Sequence, residues 1–366
     1  LWLRLIRSRR VGAVTFHRLV AEQGGVAAAL AALPDIARAS GVENYAVCPL
    51  EVVKHELAQG RIAGAKLLLW GQPGYPAALM DLPDAPPILW AQGDIGLLAR
   101  PMVALVGARN ASSLGLRMTR RLVEGLAQAG QVVVSGLARG IDAEAHRAAL
   151  ETGTVAVQAG GVDVIYPLEN AELAAAIATK GCRISEQPMG LEPQARHFPQ
   201  RNRIVSGLAR AVVVVEAAAR SGSLITAKNA LDQGREVLAV PGHPFDARAA
   251  GCNILLRDGA TLVRSAQDVL EAIGAQGGFV AQAQPVFEPV AVPDPLPGPV
   301  PPRRPLADIA AVHSQILARL GPSPLAEDQL IRDLALPPAM LSPALISLEL
   351  EGRIARQSGG LLCRVE

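Results

Sequence analysis

Met102-Val103-Ala104-Leu105-Val106-Gly107-Ala108-Arg109-Asn110 decides the fold of this chain. Its apolar residues do not alternate with polar ones. They therefore read as a strand buried on both faces, since a half-exposed strand would be polar at every second position. The run ends in small residues, which let backbone approach a ligand closely, and then in a cation. Val132-Val133-Val134, Val155-Ala156-Val157, Val212-Val213-Val214-Val215 and Val237-Leu238-Ala239-Val240 repeat the pattern, with helical stretches between them. Buried strands alternating with helices predict an α/β fold, a doubly wound, extended Rossmann-like parallel sheet. Gly130 and Gly234 stand where helix C-caps belong, and Ser265 with Asp268 reads as a capping box.

Outward from this centre the character of the sequence changes. Residues 1–72 are rich in Ala, Leu and Val, are punctuated by Gly and Pro, and predict a helical, sterile-alpha-motif-like or helix-hairpin-helix bundle. Arg4, Arg7, Arg9 and Arg10 there either touch phosphate or form a solvated helix face. Residues 73–280 are assigned to the sheet domain. Residues 281–306 read as a stiff linker, with nine prolines between 285 and 305. Residues 307–366 predict a winged helix: helices over Ile309–Leu320, Glu327–Leu334 and Pro338–Leu350, then a hairpin. The third of these helices has no Lys or Arg, and residues 306–366 hold five Arg against seven carboxylates. A duplex reader needs cations for phosphate contacts, so this unit is expected to meet protein instead.

Composition narrows the function. The chain has 366 residues, 50% of them hydrophobic and 19% charged, which excludes a wholly disordered polymer. A net charge of +2 and 3% aromatics give little reason by themselves to expect nucleic acid. Cys48, Cys182, Cys252 and Cys363 are far apart, with no CxxC, and read as reduced thiols without a metal. No apolar run approaches the ~20 residues of a membrane span, and arginines interrupt Leu1–Arg7, so no signal peptide is read and a cytoplasmic location is expected. There is no GxGxxG after the first strand, no GxxxxGK[ST], no GxSxG and no HExxH, so no cofactor is expected.

In an open parallel sheet, ligands bind beyond the carboxyl ends of the strands. Three such ends here are unusual. One is Gly107-Ala108-Arg109-Asn110, with a helix opening near Ser112. The second is Ser135-Gly136-Leu137-Ala138-Arg139-Gly140-Ile141-Asp142. The third is Glu216 followed by Ala217-Ala218-Ala219-Arg220-Ser221-Gly222-Ser223. Small residues, helix N-termini and arginines together describe a polyanion site, although ordinary strand-to-helix turns also favour Gly and Ser. A fourth segment, Gln194 to Arg203, holds Arg196, Arg201 and Arg203 around Phe198, and no carboxylate lies between Glu192 and Glu216. Arginines that track phosphates and a ring that stacks a base suit single-stranded nucleic acid, at ~1–3 kcal/mol per stacked base. Arg117, Arg120 and Arg121 extend a second carboxylate-free stretch. Asp142 and His146, four apart on one helix face, are read as a structural pair, since no nucleophile accompanies them.

These motifs resemble the DNA-processing protein A family. The match runs through Val106–Arg109, Ser135–Asp142 with His146, Ile165-Tyr166-Pro167, Ile184-Ser185-Glu186, Phe198–Gly207, Val215-Glu216, Ser221–Ala227, Gly234-Arg235 and Val240-Pro241-Gly242. The resemblance implies an extended Rossmann domain that binds single-stranded DNA through its strand-end loops and forms a homodimer. It also implies loading of the recombinase RecA onto DNA coated by single-strand-binding protein, in natural transformation and recombination, without catalysis. Arg109 matches the arginine of the family's Gly-(Ser/Ala)-Arg loop and Phe198 its base-contacting phenylalanine. Where the family often has lysine before that ring, this chain has Ala195 and then Arg196.

The expected DNA-binding set is therefore Gly107, Ala108, Arg109, Ser135, Gly136, Ala138, Arg139, Gly140, Arg196, Phe198, Arg201, Asn202, Arg203, Ser221, Gly222, Ser223 and Lys228. Two other classes remain open at this level. A nucleotide phosphoribohydrolase would place a Gly-Gly-x-Gly-Thr loop near Ser221–Thr226, but the double glycine and a following glutamate are missing. A transcription factor would read duplex DNA with residues 307–366, against which the uncharged third helix argues.

Overall fold

The computed structural model describes residues 1–39, 44–274, 306–320, 325–334, 336, 345, 348, 353–357 and 361–364. The chain divides into two compact units, Leu1–Gln282 and Ala283–Glu366.

The first unit opens with helices α1 (Trp2–Ile6), α2 (Ala13–Gln23), α3 (Val26–Ala39) and α4 (Leu50–Ile62). Strands β1 (Lys66–Leu69) and β2 (Ile88–Gly93) follow. The alternating part is β3 (Met102–Val106), α5 (Ser113–Gln128), β4 (Val132–Ser135), α6 (Ile141–Ala149), β5 (Thr154–Val157), α7 (Ala171–Lys180), β6 (Cys182–Ser185), α8 (His197–Leu208), β7 (Ala211–Val214), α9 (Gly222–Asp232) and β8 (Glu236–Ala239). Helix α10 (Ala250–Arg257), β9 (Thr261–Leu262) and α11 (Ala266–Ala272) close it. All nine strands form one sheet in the order β1-β2-β6-β5-β4-β3-β7-β8-β9. It is parallel from β6 to β9, and β2 runs antiparallel to both β1 and β6.

The five non-alternating apolar runs are β3, β4, β5, β7 and β8. Successive residues of each strand enter different cores. Met102, Ala104, Val106, Val212 and Val214 pack with Ile204, Val205, Leu208, Ala227 and Cys252 on one side. Val103, Leu105 and Val213 pack with Leu122, Leu126, Ile141, Ala145 and Val269 on the other. A sheet covered on both faces has no solvent-facing row of side chains, which is why these strands do not alternate. The Ser265–Asp268 capping box is formed, and Gly130 and Gly234 follow α5 and α9 with positive φ.

One boundary lies elsewhere than the sequence places it. The sheet begins at Lys66, ahead of the division placed at 72/73, because β1 pairs in register with β2. The N-terminal helices also share a core with the sheet edge. Leu3 and Val53 pack with Ile88 and Trp90, and buried Glu56 accepts from both Arg7 and Trp90 Nε1. Arg7 and Arg4 are thus tied inward, with Arg4 donating to the Cys48 carbonyl, so neither belongs to a free basic face. Strand β6 escapes a reading by apolar runs because it carries Arg183, buried beside Gln92 of β2. Burial pushes that guanidinium below its ordinary pKa.

The second unit holds α12 (Leu306–Arg319), β10 (Leu325–Ala326), α13 (Glu327–Leu334), β11 (Ile354–Gln357) and β12 (Leu361–Arg364), with a sheet ordered β10-β12-β11. Ile316, Leu317, Leu320, Leu330, Leu345, Leu348, Ile354 and Leu362 form its core. The linker expected over 281–306, all but its last residue, and most of the helix expected over 338–350 lie outside the described residues.

Among the described residues no single helix is long and apolar enough to cross a membrane.

Candidate nucleic-acid interface

The sheet order reverses between β3 and β7: from β3 the chain winds one way through β4, β5 and β6, then returns to β7, β8 and β9. Diverging connections leave a crevice at the carboxyl ends of such neighbours. The loops after β3, β4 and β7 and the start of α8 converge there around two adjoining clefts, of about 410 and 580 Å³. Arg109, Gly136, Ala138, Phe198 and Arg201 line both.

Phe198 is the hinge between the clefts. The exposed Arg109 guanidinium lies 5.6 Å from its ring centroid, and Arg201 lies 6.0 Å from it. Tyr166 sits at 5.7 Å with a 53° tilt, and is 48% exposed. A ring flanked by cations and a second aromatic presents a π surface with adjacent positive charge.

The two clefts differ in charge. The smaller is lined by Arg109, Arg139 and Arg201 together with Glu169 and Glu192. Arg139 already pairs with Glu169 at 3.5 Å, both exposed, so this cleft is close to neutral. The larger is lined by Arg109, Arg201, Arg220 and Arg248, with Asp142 as its one carboxylate. It also meets the N-terminus of α9, where Ser221 caps Ser223 N and open space surrounds Gly222. Phosphate suits the second cleft; an uncharged planar group suits the first.

The loop after β4 is held from within. Asp142 Oδ2 accepts from the amides of Gly136 (3.1 Å) and Ala138 (3.4 Å). His146 Nε2 accepts from Leu137 N, and Asn170 donates to Leu137 O. Thr154 Oγ1 donates its proton to Val133 O, so it accepts from His146 Nδ1 at 2.7 Å, which fixes the tautomer. Burial, with the Arg201 charge, pushes His146 down to about 3, so it stays neutral. Burial raises Asp142, against the pull of Arg201 and the loop amides. Asp142 and His146 are thus structural, each bracing the loop and not bonded to one another as expected.

Several expected phosphate ligands are already engaged by the protein itself. Arg201 is 7% exposed, and its Nη1 donates to Gly136 O and Val157 O. Burial lowers its pKa to about 10. It is a buried strut under the loop, with its guanidinium spent on the protein. Arg203 pairs with Glu186 at 2.5 Å and Asp84 at 3.5 Å and lines neither cleft. The hydroxyl of Ser135 is buried and donates to Leu105 O. The amides of Gly136 and Ala138 already serve Asp142. At the start of α5, Glu216 accepts from Ser112 N at 2.9 Å and from the Ser112 hydroxyl, so the protein's own carboxylate fills that helix N-terminus.

Gly107, Ala108, Arg109, Asn202, Ser221, Gly222 and Ser223 do line the larger cleft, and Arg139 the smaller. Gly140 shapes the site from behind. Its φ is +76°, and a Cβ there would stand 2.2 Å from Ala108 O, so only glycine lets the first two loops meet. Arg196 and Lys228 are exposed but line neither cleft. Tyr166, Arg220 and Arg248 were not in the expected set. Tyr166 and Arg220 stand inside motifs already singled out. Arg248 follows β8, far along the chain, and only the topology brings it in.

The chain is similar to known proteins over most of its length. The family described as DNA recombination-mediator protein A matches residues 66–274. A DprA-like N-terminal HHH domain matches residues 1–58 and a DprA winged helix domain residues 300–360. The N-terminal match supports the helix-hairpin-helix alternative expected for these helices. DNA processing protein DprA of Streptococcus pneumoniae is 46% identical over 198 residues, which is 54% of this chain and 70% of that protein. Protein Smf of Synechocystis is 35% identical over 316 residues, 78% of this chain and 77% of that protein. The X-ray structure of the Streptococcus pneumoniae protein superposes with TM-score 0.55 at 33% identity, covering 72% of this chain and 98% of that one. A Helicobacter pylori DNA processing protein A structure, one described for that protein's single-stranded DNA binding mode, superposes with TM-score 0.53 at 30% identity, covering 57% of this chain and 95% of that one.

Proposed function

The chain belongs to the DNA recombination-mediator protein A family, and on that footing we propose that it binds single-stranded DNA without catalysis and hands the strand to the recombinase RecA. The observation that carries this reading is Arg109 lying on the face of Phe198, where a near-neutral cleft meets a cationic one. A flexible strand needs both surfaces: charge for each phosphate and a π face for a base. Arg109 and Arg220 meet phosphates, with the open start of α9 at Gly222 beside them; Arg248 stands at the same cleft already paired with Asp246 at 3.1 Å. Phe198 and Tyr166 receive a base that a duplex would keep stacked inside.

Each phosphate contact releases counterions, with a slope of roughly −0.7 per contact in log affinity against log salt for single strands. Titrating a fluorescent dT oligomer at several salt concentrations should give a steep line. Arg109→Ala should weaken binding about tenfold, the ~1.5 kcal/mol of a charge-assisted contact, and flatten the slope by about one contact. A salt-independent affinity, or duplex bound as well as single strand, would overturn the reading.

We extend the proposal, on the family resemblance, to a cytoplasmic homodimer that serves natural transformation and recombination. In it the bound strand, coated by single-strand-binding protein, becomes a substrate for RecA filament growth. Filament nucleation on a coated strand, followed with and without this chain, tests that step: equal lag times would exclude it.

A further inference from the structure

Glu169 and Glu192 line the smaller cleft beside Phe198 and Arg139, and both are exposed. A carboxylate beside a DNA path repels phosphate, so its presence there needs a reason. Glu169 belongs to a short 3-10 turn, Leu168–Asn170, between β5 and α7. Asn170 is buried and donates to Leu137 O at 2.9 Å. That bond ties the turn to the loop after β4, at a residue two positions ahead of Arg139. Glu169 Oε1 then stands 3.5 Å from Arg139 Nη1. Both side chains are more than half exposed, and an exposed ion pair adds little to stability. The buried Asn170 bond holds the turn in place; the ion pair changes what Arg139 can bind.

We propose that Glu169 is a specificity-determining residue: it withholds Arg139 from the strand, so that the smaller cleft takes a base and the phosphates stay in the larger one. This rests on the single-strand reading above and deepens it. A carboxylate tethered this close competes with phosphate at high effective concentration. The other cations of the smaller cleft do not replace Arg139. Arg201 is spent on the carbonyls of Gly136 and Val157. Arg109 lies on Phe198, where the two clefts meet. Glu192 adds a second charge that repels phosphate. A planar, uncharged base meets none of this repulsion and finds the rings of Phe198 and Tyr166.

The full chain and four variants can be titrated at several salt concentrations with a fluorescent dT oligomer and with an abasic strand of equal length. Glu169→Gln should bind dT about three- to tenfold more tightly than the wild type, the worth of one phosphate contact regained. Its slope of log affinity against log salt should steepen by roughly 0.7. The gain should vanish when Glu169→Gln is made in an Arg139→Ala background. Because a phosphate then enters the smaller cleft, the preference for dT over the abasic strand should shrink in Glu169→Gln. Glu172→Gln removes an exposed carboxylate three residues on, outside both clefts, and should change affinity far less. Unchanged or weaker dT binding by Glu169→Gln would overturn the proposal. So would a gain that persists without Arg139, that Glu172→Gln matches, or that leaves the dT-to-abasic ratio as it was, since general charge repulsion gives those results. Failure of the wider reading looks different: there, the wild type itself binds dT without salt dependence.

Discussion

Arg109 and Arg201 are the same residue type, yet the fold spends them on different tasks. Arg109 is exposed on the ring of Phe198. Arg201 lies beneath the same ring and holds the carbonyls of Gly136 and Val157. The residues around Arg201 carried a signal. Ile204, Val205 and Leu208 are the buried face of α8, and Arg201 stands three and four positions before the first two, on that same face. Composition drew attention to the charge; helical period would have drawn it to the burial. The two arginines should therefore fail differently on mutation. Arg201→Met strands two buried carbonyls, at ~1–3 kcal/mol each, and should lower the melting temperature whether or not DNA is present. Arg109→Ala should leave the melting temperature in place and cost only affinity. Paired thermal-melt and binding measurements on the two variants check this, and equal melting temperatures would refute the assignment of Arg201.

Between residue and molecule, the unit of design is the strand-to-helix loop. Each loop on the rim solves its own hydrogen bonding before meeting a ligand. The loop after β4 hangs on Asp142, His146 and Arg201. The start of α5 is closed by Glu216. The start of α9 is capped by Ser221 and left open to space at Gly222. Helix N-termini alone suggested several equivalent anion sites, but internal carboxylates leave α9 as the open one among the loops on this rim. Two glycines give the contrast a test. Gly140→Ala forces a side chain into φ +76° and into contact with Ala108 O. It should cost ~1–3 kcal/mol from backbone strain alone and weaken DNA binding by parting the loops. Gly222→Ala meets nothing within 4 Å and should leave the unfolding midpoint in denaturant unchanged. If Gly140→Ala unfolds at the wild-type midpoint, the role given to the loop junction is wrong.

At the scale of the whole molecule, both clefts are built from residues of the first unit. That unit owns its cores on both faces of the sheet. A chain ending at Gln282 should consequently keep the dT affinity and salt slope of the full chain, which an anisotropy titration of both would check. Loss of binding on truncation would mean that the second unit helps to build the site. The second unit has its own apolar core, and its carboxylates outnumber its arginines, which fits a role other than gripping a strand.

The sequence by itself determined the layered α/β fold, because strands covered on both faces must be continuously apolar and this pattern is local. It also determined the rim as the place to look, since small residues and arginines follow three of those strands. It marked Arg109 and Phe198 in the same way. Only the tertiary structure decided which polar groups remain free for a ligand. A hydrogen bond such as Ser112 to Glu216 depends on partners distant along the chain. No local pattern encodes whether a buried group has already been satisfied.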